Sequence, residues 1–348
     1  MKRLGALTCV AAISLAALAI QGQPSAKRNQ FTVFDPPGST NTLPKSINPM
    51  GEITGEYTDA DNVRHGFLRA PDGTITTFDP PGSISTTPMS INPAGAITGY
   101  CYIADSGSRN FLRDRDGAFT IFTPNRYSPL TAALSINPAG AIAGVWRDYS
   151  ADMMHGFLRA HDGTITTFFP PEFWVVYSFP DAMSINPAGV ITGGYEVFDT
   201  NIHWFVGHGF VRAADGAFTT FDPPGSIYTV PWSVNPAGAI AGQYVTEGYR
   251  GHGFLRAPDG NLTTFDPPGS IFTSARAINP SGTIVGSYSD AGYVTHGFLR
   301  AESGAFITFD PPGSTYNEPV AINPRGEVTG SYKDAEGVSH GYVWRPRF

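Results

Sequence analysis

The segment Ser90-Ile91-Asn92-Pro93-Ala94-Gly95-Ala96-Ile97-Thr98-Gly99-Tyr100 recurs along the whole chain, and this recurrence limits the fold more than any other feature. Its asparagine marks the period. Asn48, Asn92, Asn137, Asn186, Asn235, Asn279 and Asn323 stand 44 to 49 residues apart, each followed directly by proline and three positions later by glycine. A fixed period of this length means that one supersecondary unit packs against copies of itself.

Each unit holds four short strand-like runs, A to D. Run A ends in the apolar pair before Asn-Pro-Ala-Gly, whose Pro at i+1 and Gly at i+3 suit a type I turn. Run B is Ala96-Ile97-Thr98-Gly99-Tyr100 and its equivalents. Run C is His-Gly-Phe-Leu-Arg, as at His65 to Arg69. Run D is Thr-Ile-Thr-Thr-Phe, as at Thr74 to Phe78, reached through the turn Pro71-Asp72-Gly73. No run has helical periodicity. Four antiparallel strands per unit predict an all-β, seven-bladed β-propeller. A β-solenoid has shorter coils and no need of two tight hairpins per unit. The termini predict ring closure: Phe31-Thr32-Val33-Phe34-Asp35 reads as a D strand with no unit before it, and His340 to Arg345 as a C strand with no D strand after it. The first strand then completes the last blade and removes an open sheet edge.

Residues 1–22 read as a secretory signal peptide, with Lys2 and Arg3 before an apolar run from Leu4 to Ile20 and small residues at Ala17-Leu18-Ala19. Residues 23–30 form a short polar lead, and residues 31–348 a single propeller. This predicts a secreted or cell-envelope protein, extracellular or periplasmic, with no transmembrane span after cleavage. Cys9 lies in the signal, so Cys101 is the one cysteine left and no internal disulfide forms. Asn261-Leu262-Thr263 is a weak match to the glycosylation pattern. The 40 Gly and 30 Pro fall mostly at equivalent places in each unit and are turn residues. The formal charge is −7 with no basic patch, which argues against nucleic acid as a partner.

The run Ile91-Asn92-Pro93-Ala94-Gly95-Ala96-Ile97-Thr98-Gly99 with His65-Gly66-Phe67-Leu68 resembles the bacterial extracellular HAF-type repeat proteins. The likeness covers nearly all of the mature chain. It departs at the Gly after each His and at Phe-Asp-Pro-Pro-Gly-Ser, where related repeats carry a Leu-Gly run. The resemblance implies an exported repeat protein and brings no catalytic residues.

His65, His155, His208, His252, His296 and His340 share one repeat position, held by Arg109 in the second unit. Strands lie about 4.8 Å apart, so equivalent positions on adjacent blades stand more than about 10 Å apart and cannot share a metal. These histidines are expected to bond within their own blades. Arg69, Arg113, Arg159, Arg212, Arg256, Arg300 and Arg345 recur likewise. The Asp of Phe-Asp-Pro-Pro becomes Thr123 and Phe169 in two units, so an Arg–Asp ion pair is not expected, and the Asp is read as a turn cap. Asp59-Ala60-Asp61 and Asp334-Ala335-Glu336-Gly337 lack the ligands of a calcium loop. No catalytic motif, metal site or cofactor is expected.

The informative signal is where the units differ. A–B and C–D turns lie at one end of a blade, and B–C and D–A connections at the other. All length variation falls in the latter, and loops on a rigid scaffold carry binding. Blades 3 to 5 hold the longest connections and four of five tryptophans. The expected binding residues are Trp146, Trp174, Tyr177, Trp204 and Trp232 as stacking surfaces, with Glu172, Asp199 and His203 as polar partners. The expected function is a non-enzymatic binding or scaffold module for a carbohydrate or a cell-surface protein. The alternatives are a polysaccharide lyase or glycoside hydrolase using Glu172, Glu196, Asp148 or Asp199, and a structural component of a surface layer or filament.

Overall fold

The computed structural model describes residues 30–151, 153–169, 183–199 and 203–346. These form twenty-eight β-strands and no helix. In the first repeat, strands A (Asn41–Ile47), B (Ile53–Thr58), C (Arg64–Arg69) and D (Ile75–Phe78) lie side by side in chain order and antiparallel. The first three repeats make three separate four-stranded sheets. Later repeats repeat the pattern. Single parallel bridges between a C strand and the next A strand, such as Gly251 to Phe272 and Thr295 to Tyr316, merge them into one sixteen-stranded sheet.

The Asn-Pro turn explains why its asparagine recurs. In the first repeat Asn48 Oδ1 accepts the backbone N–H groups of Met50 and Glu52, which closes the turn. Its Nδ2 donates to the backbone carbonyl of Asn92, in the next repeat. The same step links Asn92 to Asn137, Asn137 to Asn186, Asn186 to Asn235, Asn235 to Asn279, Asn279 to Asn323, and Asn323 back to Asn48. All seven side chains are buried. The result is a closed hydrogen-bonded circuit at the A–B end, each asparagine filling its own turn and its neighbour's carbonyl.

The ends meet as their patterning predicts. Gln30–Phe34 pairs antiparallel with Ser339–Arg345, from Gln30 opposite Arg345 to Phe34 opposite Gly341. Phe31 packs among Phe309, Tyr342 and Trp344, with ring centroids 5.7 to 6.3 Å apart.

The core repeats with the chain. The Phe of each His-Gly-Phe (Phe67, Phe157, Phe210, Phe254, Phe298), Phe111 and Tyr342 are fully buried. Each contributes about 2–3 kcal/mol of apolar burial. The recurring arginine works between repeats: its guanidinium lies over the D-strand Phe of the preceding repeat, as in Arg69 on Phe34, Arg113 on Phe78 and Arg300 on Phe265, at 4.8 to 5.0 Å. The last repeat corrects the sequence alignment. Val328 pairs with Trp344, where Ile53 pairs with Arg69, so Trp344 and not Arg345 holds this position. Trp344 stacks on Phe309 at 3.8 Å and 13°, replacing a cation on a ring by a ring on a ring. Arg345 instead donates to Glu327 at 2.7 Å.

One local device shapes the centre. The A strands carry a β-bulge before the Ser or Ala that precedes the apolar pair residue, and Lys45, Met89, Leu134, Trp232, Arg276 and Val320 are skipped by the pairing. A bulge re-aims the extra side chain and bends its strand. The bent backbone presses on strand B, which explains the recurring B-strand glycine. A Cβ on Gly55 would sit 2.3 Å from the Leu43 carbonyl oxygen, and one on Gly99 2.2 Å from that of Thr87.

Candidate functional site

The bulged residues meet in a central cavity of about 600 Å³, lined by the A strands of all the repeats. Flanking positions are nearly constant. Ser46, Ser90, Ser135, Ser184 and Ser233 each accept the N–H of the apolar residue before the next repeat's asparagine. The bulge position is not constant: it holds Lys45, Met89, Leu134, Trp232, Arg276 and Val320, with Met183 at the equivalent place. In the order set by the asparagine circuit, Met89, Leu134 and Met183 form one apolar arc. Trp232, Arg276, Val320 and Lys45 form the other, which carries the charge.

Two ionic clusters lie in that second arc. Glu56 is 8% exposed at its side chain, accepts from Thr87 Oγ1 at 2.8 Å, and has Lys45 at 3.6 Å and Arg64 at 3.8 Å. Arg276 pairs with Glu318 and lies over the Trp232 ring at 4.0 Å. Tyr316 donates to Glu318 at 3.3 Å, and burial, reinforced by that carboxylate, pushes its phenol up to about 12, so it stays a donor. A side cavity of about 390 Å³ shares Trp232, Arg276 and Glu318 with the centre. The sequence did signal this site: the position three before each Asn changes from repeat to repeat beside a nearly constant Ser-Ile-Asn-Pro run.

The predicted binding residues fall in different places. Trp146 is 6% exposed and stacks on His155 at 4.6 Å among Ile136, Ile142 and Phe157. It is a core ring with no free face, because its run-B position points into the blade. Trp232 lines the cavity and not a loop. His203 is exposed at a left-handed turn, φ 53°. Asp199 and Trp204 pair through their backbones at the end of a B–C hairpin. Their side chains, and Glu172, Trp174 and Tyr177, lie outside the described residues. Of the carboxylates considered for catalysis, Glu196 accepts the Tyr228 hydroxyl. Asp148 accepts the Ser150 hydroxyl and N–H, which hold its carboxyl below the usual range.

The variable end does carry exposed rings. Tyr127, Tyr149, Phe169, Phe198, Tyr249 and Tyr293 are the exposed aromatics among the described residues; five belong to a B–C or D–A connection, and Phe198 lies near the end of the B strand of a long B–C hairpin. Tyr249 and Tyr293 are 76% and 83% exposed and left-handed, φ 59° and 62°. The same turn position is Asn62 in the first repeat and Gly337 in the last, also left-handed.

Below that rim the recurring histidines have partners that the sequence reading missed. His65 Nδ1 donates to Asp79 at 2.7 Å, and Asp79 accepts Thr86 of the next repeat at 2.5 Å. His208, His252, His296 and His340 pair likewise with Asp222, Asp266, Asp310 and Asp35. The Asp thus couples a histidine of its own blade to the next repeat rather than capping a turn. The signal was the joint loss of both partners in the second repeat, at Arg109 and Thr123. His155, opposite Phe169, keeps the ring without the carboxylate, and burial holds its imidazole low. For His65, His296 and His340, burial lowers the imidazole, but bonds to two aspartates outweigh it and the net shift is upward. A raised folded pKa gives stability that is complete below the unfolded value of about 6.5 and is lost as pH rises through the folded value. The expected result is a melting temperature that falls between pH 6 and pH 9. The fall should be smaller in a triple His65→Gln, His296→Gln, His340→Gln variant, and an equal slope in both would exclude these pairs as its source.

Groups of three or more metal-ligating side chains are absent among the described residues. The thiol of Cys101 is free and buried, and burial pushes it up to about 11. No helix among the described residues is long and apolar enough to cross a membrane.

No family model matches the chain, and no curated protein matches it. Solved structures do. A streptogramin B lyase aligns with TM-score 0.59 at 12% identity, over 90% of this chain and 97% of its own. A catalytically inactive virginiamycin B lyase from Staphylococcus aureus with quinupristin gives 0.61 at 14%, over 92% and 100%. The β-propeller domain of the Trilobed protease from Pyrococcus furiosus, described as having an open velcro topology, gives 0.62 at 11%, over 89% and 95%. At these identities the likeness is one of fold alone: the chain is an all-β protein built as a β-propeller.

Proposed function

We propose that this is an exported seven-bladed β-propeller, one blade per sequence repeat, that acts as a binding module and presents its B–C and D–A face to a carbohydrate or a cell-surface protein. The seven-membered asparagine circuit and the pairing of the first strand with the last support the blade count. The apolar run of residues 4–20 supports export. The observation that carries the binding reading is that the six exposed aromatic rings among the described residues all lie toward the B–C and D–A end. Two of them are held where the same turn elsewhere uses Asn or Gly. A left-handed tyrosine costs about 1 kcal/mol, which a turn serving only the fold would avoid. Tyrosine supplies a wide amphipathic contact with few rotors to freeze.

An enzymatic reading has less support, since Asp148 and Glu196 are each engaged in bonds that stabilise loops or neighbouring strands. The test is a glycan and surface-protein array probed with the wild type, a Tyr249→Ser, Tyr293→Ser variant, and a Trp174→Ala, Trp204→Ala variant. At least ten-fold weaker binding in one of the pairs, with unchanged melting, is the expected result. Wild-type affinity in both would remove this face as the binding surface.

A further inference from the structure

We propose that the central cavity is a second, separate site, for a small amphipathic anion: a molecule with one carboxylate or sulfonate head and an apolar body. This goes beyond the face-binding reading and does not depend on it. Three observations converge on it.

The first is charge. The cavity lining holds three cations, Lys45, Arg64 and Arg276, against two carboxylates, Glu56 and Glu318. It therefore carries a positive excess inside a chain whose formal charge is −7. Charge of the opposite sign to the whole, concentrated in a concave low-dielectric space, attracts a counter-ion there.

The second is unspent hydrogen bonding. Lys45 and Arg64 approach Glu56 at 3.6 and 3.8 Å, too far for a hydrogen bond, so their donors remain available. Arg276 pairs with Glu318 through Nη2. An anionic head beside Lys45 and Arg64 takes up those donors, and Arg276 adds its charge.

The third is shape. The charged arc faces the apolar arc of Met89, Leu134 and Met183 across a volume of about 600 Å³, the size of a small-ligand site. Sulfur-bearing, unbranched methionine side chains adapt to an apolar body of loosely defined shape. A sugar fits poorly here: the single indole in the lining, Trp232, already has a face covered by Arg276. The buried asparagine circuit girds the A–B end, and Arg64 opens its C strand at the B–C end.

The test uses two fluorescent probes of similar shape, anionic 8-anilinonaphthalene-1-sulfonate and neutral N-phenyl-1-naphthylamine, titrated into the full protein. The expected result is one anion-probe site, at least ten-fold tighter than the neutral probe, weakened by salt and displaced by dodecanoate but not by dodecanol. In a Lys45→Gln, Arg276→Gln variant the anionic probe should weaken at least ten-fold while the neutral probe stays within two-fold. A Met89→Trp, Leu134→Trp variant, which fills the apolar arc, should lose both probes. Equal affinity for the two probes overturns the anion assignment. Undiminished binding in the filled variant overturns the cavity as the site. If the charge variant does not fold, the salt dependence measured on the wild type decides the assignment: no dependence overturns it.

Discussion

A chain lacking residues 30–35 is expected to lose its cooperative thermal transition and to aggregate, and a synthetic peptide of residues 30–36 added in trans is expected to restore the transition. The deletion removes every pairing from Gln30–Arg345 to Phe34–Gly341. It uncovers Trp344 and Tyr342, both fully buried, and takes away the rings of Phe31 and Phe34. It also breaks the His340–Asp35–Thr42 link that joins the last repeat to the first. An open strand edge beside exposed aromatic surface is a template for association, and the same edge accepts an added strand. A milder variant, Phe34→Ala, removes a ring 8% exposed that packs on Phe67 and lies under Arg69, and should cost about 3–4 kcal/mol. The measurement is the denaturant midpoint. An unchanged midpoint in both variants would show that closure contributes nothing to stability.

The second large effect concerns the asparagine circuit. Asn186→Ala should cost roughly 3 kcal/mol although it removes no apolar core, because three hydrogen bonds disappear from a buried site. Asn186 Nδ2 reaches the Asn235 carbonyl at 3.2 Å, and its Oδ1 accepts the N–H groups of Ala188 and Val190 at 3.0 Å. The Asn235 carbonyl then keeps only the Gly238 N–H, and the turn loses both bonds that hold the Ala188 and Val190 N–H groups. Asn186→Asp keeps the shape and the two accepted bonds but sets a carboxylate oxygen against the Asn235 carbonyl, so it should be no better than alanine near neutral pH. If Asn186→Asp were as stable as the wild type, the link between neighbouring repeats would not be a hydrogen bond to that carbonyl.

Much of the architecture was legible before any coordinates. The Asn-Pro-Ala-Gly turn, the Pro-Asp-Gly turn and the alternation between them are local, and local backbone preferences set the strands and their order. The pairing of the first strand with the last was legible because each terminal run matches one part of a unit whose other parts are known. The site was less legible, for a physical reason. Loop length and tryptophan placement pointed to one end of the blades, and exposed rings do gather there, yet Trp146 turned inward and Trp232 toward the axis. Which way a side chain points depends on strand register. A one-residue bulge changes it, and none of the bulge residues differs in composition from an ordinary strand residue.

The sequence by itself determined the repeat, the strands and their turns, because each rests on contacts within about fifty residues of chain, and the matching ends, because each is a part of the same repeating unit. Only the tertiary structure decided that Lys45, Arg276 and Glu318 share one cavity with Met89, Leu134 and Met183, that five of the six recurring histidines are held by an aspartate bonded to the next repeat, and that Trp344 rather than Arg345 covers Phe309. Those contacts arise where repeats curve around a common axis. That curvature is a property of all the sheets packed together and is written in no single unit.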